Sequence, residues 1–194
     1  DIVKILFGGK TETGEGDLAN QIVGVDVRVH LPVIKTDLYY ERGMEDFRDF
    51  YPYKHAYIVG AYMADLLGFS LRTEFFDSTE YPGVWYRHET FTSGYTFKKR
   101  VIGHHAGGDA EDFFVEIGRE INDYIKISAS FDLETRGTNQ PVVERHRQYL
   151  GQGRFRIYPY VVEIQGGWEE VDNPGFAPGK GSNSVGIIKV KRFF

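Results

Sequence analysis

An antiparallel transmembrane β-barrel is the all-β fold class this sequence predicts, and three features predict it. Apolar and polar residues alternate over several stretches, the connections between those stretches are short and long in turn, and the chain closes on a strand ending in phenylalanine. Side chains along a strand point to opposite faces in turn, so alternation gives one apolar and one polar face. An outer-membrane barrel turns the apolar face to lipid and the polar face to its lumen, and joins its strands by short periplasmic turns and longer outside loops.

The composition agrees. Aromatic residues make up 15% of the 194 residues, with 13 Tyr and 15 Phe against two Met, which favours strands over helices. With no cysteine, neither a disulfide framework nor a thiolate metal site can form. A net charge of -5 and a single short basic run, Lys98-Lys99-Arg100, exclude a nucleic-acid footprint. No run approaches the roughly 18 apolar residues of a membrane-spanning helix. Asp1 leads straight into Ile2-Val3-Lys4-Ile5-Leu6-Phe7, as if from the middle of a fold, which implies sequence upstream.

Ten strands are expected, at about residues 2–9, 21–31, 33–42, 55–64, 69–77, 112–119, 123–134, 143–151, 155–168 and 184–194. In the second, Val23, Val25, Val27, Val29 and Leu31 share one face, and Gly24, Asp26, Arg28 and His30 the other. In the fifth, Phe69, Leu71, Thr73 and Phe75 oppose Ser70, Arg72 and Glu74. In the seventh, Ile125, Ile127, Ala129, Phe131 and Leu133 oppose Lys126, Ser128, Ser130, Asp132 and Glu134. The eighth has no apolar face in Glu144-Arg145-His146-Arg147-Gln148, but the order of connections requires it. Tight turns are expected at 31–32, 65–68, 119–122 and 151–154, and long loops at 10–20, 43–54, 78–111, 135–142 and 169–183. A terminal Phe194 at the periplasmic end puts every long loop outside the cell. A soluble β-sandwich also alternates. Strands near ten residues, polar faces carrying both charges, and interface-style aromatics such as Tyr39-Tyr40 and Trp168 favour the barrel.

The chain therefore reads as one barrel region, 1–194, with a long surface loop at 78–111. That loop carries Trp85, Tyr86, Arg87, His88, Glu89, Tyr95, Lys98 and Arg100. Aromatic faces stack on the apolar face of a pyranose while charged groups bind hydroxyls and carboxylates, so these eight are candidate sugar contacts. Equally, Trp85 and Tyr86 could pack the loop onto the barrel rim or plug the lumen. Asp26, Arg28, Arg72 and Glu74 are expected to face the lumen, where facing charges can pair as a structural ladder or line an ion-selective or sugar-guiding pore; the ladder is favoured because barrel interiors are routinely polar. No metal site is expected. His104, His105 and Asp109, with Glu111 and Asp112 nearby, offer ligand atoms, but adjacent histidines on a strand point apart. Glu169-Glu170, Asp112 with Glu116, and Ser93 with His88 come with no supporting catalytic motif, so no enzyme activity is expected.

Trp85-Tyr86-Arg87-His88, the run Gly94-Tyr95-Thr96-Phe97-Lys98-Lys99-Arg100-Val101-Ile102-Gly103-His104, and Gly107-Gly108-Asp109-Ala110 resemble the capsule assembly protein family known as Wzi. Val23-Gly24-Val25-Asp26 and Arg72-Thr73-Glu74 resemble strands of that family, and the resemblance runs from about Asn20 to Ile117. It implies an outer-membrane lectin barrel of about 18 strands, of which this chain would be the C-terminal portion. It also implies capsular or extracellular polysaccharide and outer-membrane lipid as partners, with no cofactor and no catalysis. The polar inward faces leave a porin-like channel for small solutes as the alternative.

Overall fold

The computed structural model describes residues 22–48, 51–80, 85, 96–97, 100–101 and 103–192. Nine strands form one antiparallel sheet: β1 (Ile22–Leu31), β2 (Thr36–Arg48), β3 (Tyr51–Leu66), β4 (Phe69–Asp77), β7 (Ala110–Asn122), β8 (Ile125–Arg136), β9 (Glu144–Ile157), β10 (Tyr160–Asp172) and β11 (Lys180–Arg192). Between β4 and β7 the chain makes a small hairpin of β5 (Thr96–Phe97) and β6 (Arg100–Val101). Each long strand pairs with its neighbours in sequence, and β1 and β11 are the edges of the described sheet. This open meander is part of a barrel wall. The expected strand at 2–9 lies outside the described residues, as does Phe194.

The two faces hold opposite chemistry. Val25, Val27, Val29, Leu38, Tyr40, Val59, Phe113, Ile117, Ile127, Ile164, Trp168, Ile188 and Val190 line one face, and they are exposed, Val27 at 53% and Val190 at 62%. No second sheet covers this face among the described residues. Water-soluble monomers rarely leave so continuous an apolar surface bare, whereas lipid requires it. Asp26, Arg28, Asp37, Tyr39, Arg72, Glu74, Asp112, Asp132, Gln148 and Glu169 occupy the other face, as the cross-strand register requires.

Several boundaries differ from expectation. The sequence Gly151-Gln152-Gly153-Arg154 is not a turn: it continues β9, and the chain reverses at Tyr158 and Pro159 instead. Glycines there fit a strand because the Phe155 ring lies over Gly153, filling the space a side chain would take. The connection expected at 43–54 is not a long loop either. Strands β2 and β3 stay paired out to Arg48 and Tyr51. The strand lacking an apolar face exists, and its charged start is explained by its neighbours. Arg147 pairs with Asp172 at 2.8 Å, and His146 contacts Glu144 and Glu169 at 2.8 Å each. This segment lies at the loop end of the wall. The short turns 32–35, 67–68, 123–124 and 158–159 all fall at the opposite end. Asx geometry fixes two of them: Asp65 accepts from the Gly68 N–H, and Asn122 from the Tyr124 and Ile125 N–H groups.

Candidate functional site

The β4–β7 connection bends over the polar face of the wall. At its base Ser78, fully buried, donates through Oγ to the Gly107 and Ala110 carbonyls, and the two strands exchange a Ser78 N–H to Ala110 O bond of 2.9 Å. Asp109 ties the connection to the next loop. Its carboxylate accepts from Thr138 Oγ1 at 2.8 Å and Asn139 Nδ2 at 2.9 Å, and its carbonyl accepts from the Gly137 N–H at 2.8 Å. Its φ of +58° lies in the left-handed region, which Asp tolerates better than most side chains.

Trp85 is the centre of a small apolar cluster with Ala56, Phe76, Ala106 and Ala110, packed against Ile58. It is 6% exposed. Gly43 on β2 leaves room for the indole: a Cβ there would stand 3.0 Å from Trp85 Cη2. Of the two roles open to Trp85, the structure therefore shows the packing one, with the ring facing protein. Tyr86, Arg87, His88, Glu89, Tyr95 and Lys98 lie outside the described residues. Arg100 is described only as part of β6.

Beneath the connection the polar face carries a groove. One cleft of about 410 Å³ is lined by Arg72, Glu74, Phe76, His104, His105, Asp112, Phe114 and Asp132. A second of about 380 Å³ shares Phe114 and Asp132 and continues along Ser130, Gln148, Gln165, Glu169 and Asn183. The four residues expected to face the lumen do share this face, but the ion pairs they make run along the wall. Arg28 pairs with Asp37 on the next strand at 2.8 Å, and Arg72 with Glu74 on its own strand at 2.8 Å. Tyr39 donates its hydroxyl to Glu74, its ring lying over Gly60.

His104 and His105 are not on a strand. They occupy a turn, so their rings stack on each other, 4.5 Å apart, instead of diverging, and His104 also stacks on Phe76 at 3.8 Å. Burial pushes the His104 imidazole down to about 4, and neighbouring His105 adds to this. A hydrogen bond to Asp112 raises His105 above its ordinary value. Asp109, set beside these histidines on sequence spacing, is instead spent on the 137–139 loop. Asp132 and Glu134 take its place. Both lie on the polar face of β8, and that alternation was the available signal.

The carboxylate pairs examined for glycosidase chemistry do not assemble. Glu169 faces the groove with His146 and Asn183, while neighbouring Glu170 faces the lipid side near Arg147. Asp112 and Glu116 share a face of β7 four residues apart, about 13 Å at strand rise, beyond the separations such catalysis uses.

Comparison with known proteins decides the family. The model of the capsule assembly protein Wzi family matches residues 1–184. The chain belongs to the Wzi family. No curated protein matched its sequence. Among solved structures it is similar to Wzi of Escherichia coli, described as an outer-membrane protein involved in group 1 capsule assembly and a carbohydrate-binding β-barrel. The TM-score is 0.74 at 16% identity, covering 95% of this chain and 45% of that one. The chain thus spans less than half the length of that protein, and its fold is that of an outer-membrane β-barrel wall.

Proposed function

We propose that this Wzi-family chain forms the part of an outer-membrane barrel that holds exported polysaccharide during capsule or matrix assembly. The polar groove under the β4–β7 connection carries this reading. It combines a guanidinium, carboxylates, amides and the Phe114 ring, the groups that hold sugar hydroxyls and stack on pyranose faces. The relative from Escherichia coli, described as carbohydrate-binding, supports it. The surface loop 78–111 faces outward in this reading. Tyr86, Arg87, His88, Glu89, Tyr95, Lys98 and Arg100, which belong to this loop by sequence, are further candidate sugar contacts. No catalytic step is proposed.

The test is binding of purified capsular polysaccharide to the full-length protein in detergent micelles. Arg72→Ala together with Gln148→Ala should weaken binding about tenfold or more, as two hydrogen-bonding groups at about 1 kcal/mol each would give. Unchanged affinity would remove the groove from the site, and loss only on Arg87→Ala would move it to the loop. The rival reading, a channel for small solutes, predicts steady conductance in planar bilayers. A polysaccharide-binding barrel with a plugged lumen should show none.

A further inference from the structure

We propose that His104, His105 and Asp112, backed by Asp132 and Glu134, form a binding site for a divalent transition-metal ion of the Zn²⁺ class. The distances suit it. His105 Nε2 and His104 Nε2 lie 3.1 and 3.6 Å from the same oxygen, Asp112 Oδ2, and ligand atoms of all three residues fall within 4.8 Å of one another. A tetrahedral zinc with bonds of about 2.0–2.1 Å spaces its ligands roughly 3.3–3.4 Å apart, between the two observed values. The turn at 104–106 makes this possible by holding both rings on the same side of the chain, where a strand would have split them; ion binding turns the stacked rings so that both Nε2 lone pairs meet at one point.

A second observation points to a cation independently. Asp112 stands directly opposite Glu134 in the β7–β8 register, and Asp132 is on the same face one position further along the wall. Like charges facing each other across strands destabilise a sheet. The Asp112 side chain is 2% exposed and that of Glu134 0%. Yet Asp112 Oδ1, Asp132 Oδ1 and Glu134 Oε2 accept no hydrogen bond among the described residues. Arg136 reaches only the other oxygen of Glu134. Two buried carboxylates and the half-buried Asp132 thus crowd around the His105 imidazole and one guanidinium, and stranding carboxylate oxygens in this way is costly. A divalent ion satisfies them together. Two imidazoles among the donors suit zinc or its neighbours in the transition series better than calcium or magnesium, which take oxygen ligands. Asp132 Oδ2 and Glu134 Oε2, 3.8 and 3.9 Å from His105 Nε2, are the candidates for a fourth ligand or for orienting the first three. Binding at His104 Nε2 puts that ring's proton on Nδ1 and gives up the long 3.4 Å contact from the Ala106 N–H. The ion would tie the β4–β7 connection to two strands of the wall.

The experiment titrates Zn²⁺ and then Co²⁺ into full-length protein in detergent micelles after chelator treatment. One equivalent should bind, Co²⁺ should give the intense visible absorption of a four-coordinate site, and X-ray absorption should count two imidazoles. His105→Ala and Asp112→Asn should weaken binding at least a hundredfold and Asp132→Asn about 10–100-fold. His30→Ala, whose ring pairs with Asp37 near the short turn 32–35, should leave it unchanged. No stoichiometric binding by the unaltered protein, a coordination shell without imidazole, or full affinity in His105→Ala would each overturn the proposal. The first two outcomes do not depend on any variant folding.

Discussion

Replacing Trp85 by alanine should undock the β4–β7 connection while leaving the barrel wall intact. The indole is 6% exposed, and a buried aromatic removes about 150–250 Å² from water. At about 25 cal/mol per Å² this gives roughly 4–6 kcal/mol as an upper bound, and measured Trp→Ala losses of about 3–5 kcal/mol agree. Even 3 kcal/mol shifts the docking equilibrium on the order of a hundredfold. Two amides follow docking: Gly137, bonded across to the Asp109 carbonyl, and Gly107, bonded to the His104 carbonyl in the turn beside the Trp85 cluster. Hydrogen exchange of full-length protein in micelles should show both losing protection by about two orders of magnitude, with β7 and β8 amides unchanged. Gly43→Val makes the same point from the other side, since its new carbons would press on the Trp85 ring edge. If Gly107 and Gly137 in Trp85→Ala stay within a few-fold of their original protection, the docking role is wrong. Polysaccharide binding separates the two roles of Trp85. Equal loss in Gly43→Val and Trp85→Ala means that the ring acts through loop position, whereas loss in Trp85→Ala alone means direct stacking.

Three further outcomes follow from named contacts. Asp109→Ala strips the bonds from Thr138 and Asn139 and should cost about 1–3 kcal/mol of loop docking by the same exchange measurement. Asp109→Gly should still destabilise docking, though less than Asp109→Ala, because it relieves the left-handed backbone without restoring the acceptor. Gly60→Val sets a side chain into the space of the Tyr39 ring and should destabilise the wall by about 1–3 kcal/mol, read as a lower urea midpoint for refolding into vesicles. Tyr39→Phe, which keeps the ring and loses only the bond to Glu74, should cost about 1 kcal/mol or less. Ile117→Arg on the lipid face should cost roughly 2–4 kcal/mol in the same assay. Gln152→Lys on the groove face, near Glu163, should stay within about 0.5 kcal/mol. Equal penalties for these last two would contradict the assignment of the faces.

Period-two patterning made the wall legible. It placed Val23 to Leu31 and Ile125 to Leu133 on the correct face because register in a two-faced sheet leaves no choice: a slip of one residue would turn every valine into the lumen. It failed where a strand leaves the apolar band. Arg145 and Arg147 point to the lipid side of the wall, but at the loop end, where Asp172 and Glu170 meet the charge. It also failed at Gly151 and Gly153, since composition cannot tell a turn glycine from one inside a strand, such as Gly153 beneath the Phe155 ring. Arg28 and Arg72 find partners a few ångströms away along the sheet before any group across a lumen could compete. The histidine cluster was hidden by an assumption about local conformation. His104 and His105 diverge on a strand and converge in a turn, and nothing in the two letters distinguishes these.

The groove and the cluster beneath the loop differ in what their side chains do for stability. Along the wall, Arg28–Asp37, Arg72–Glu74 and Lys191–Glu163 are solvent-accessible pairs, each contributing about 0–1 kcal/mol. The ladder of backbone bonds holds these strands whichever polar side chains they carry. If the groove is the proposed polysaccharide site, inward positions such as Arg72, Gln148 and Glu169 can vary with the ligand, and exchanging them should alter specificity long before it alters folding. The opposite holds at the mouth. Ser78 and Asp109 are buried polar groups whose partners come from a different segment, so each must be satisfied or the connection lifts away. In the proposed function, specificity can thus drift along the open groove while the base of the β4–β7 connection stays fixed by a few buried residues.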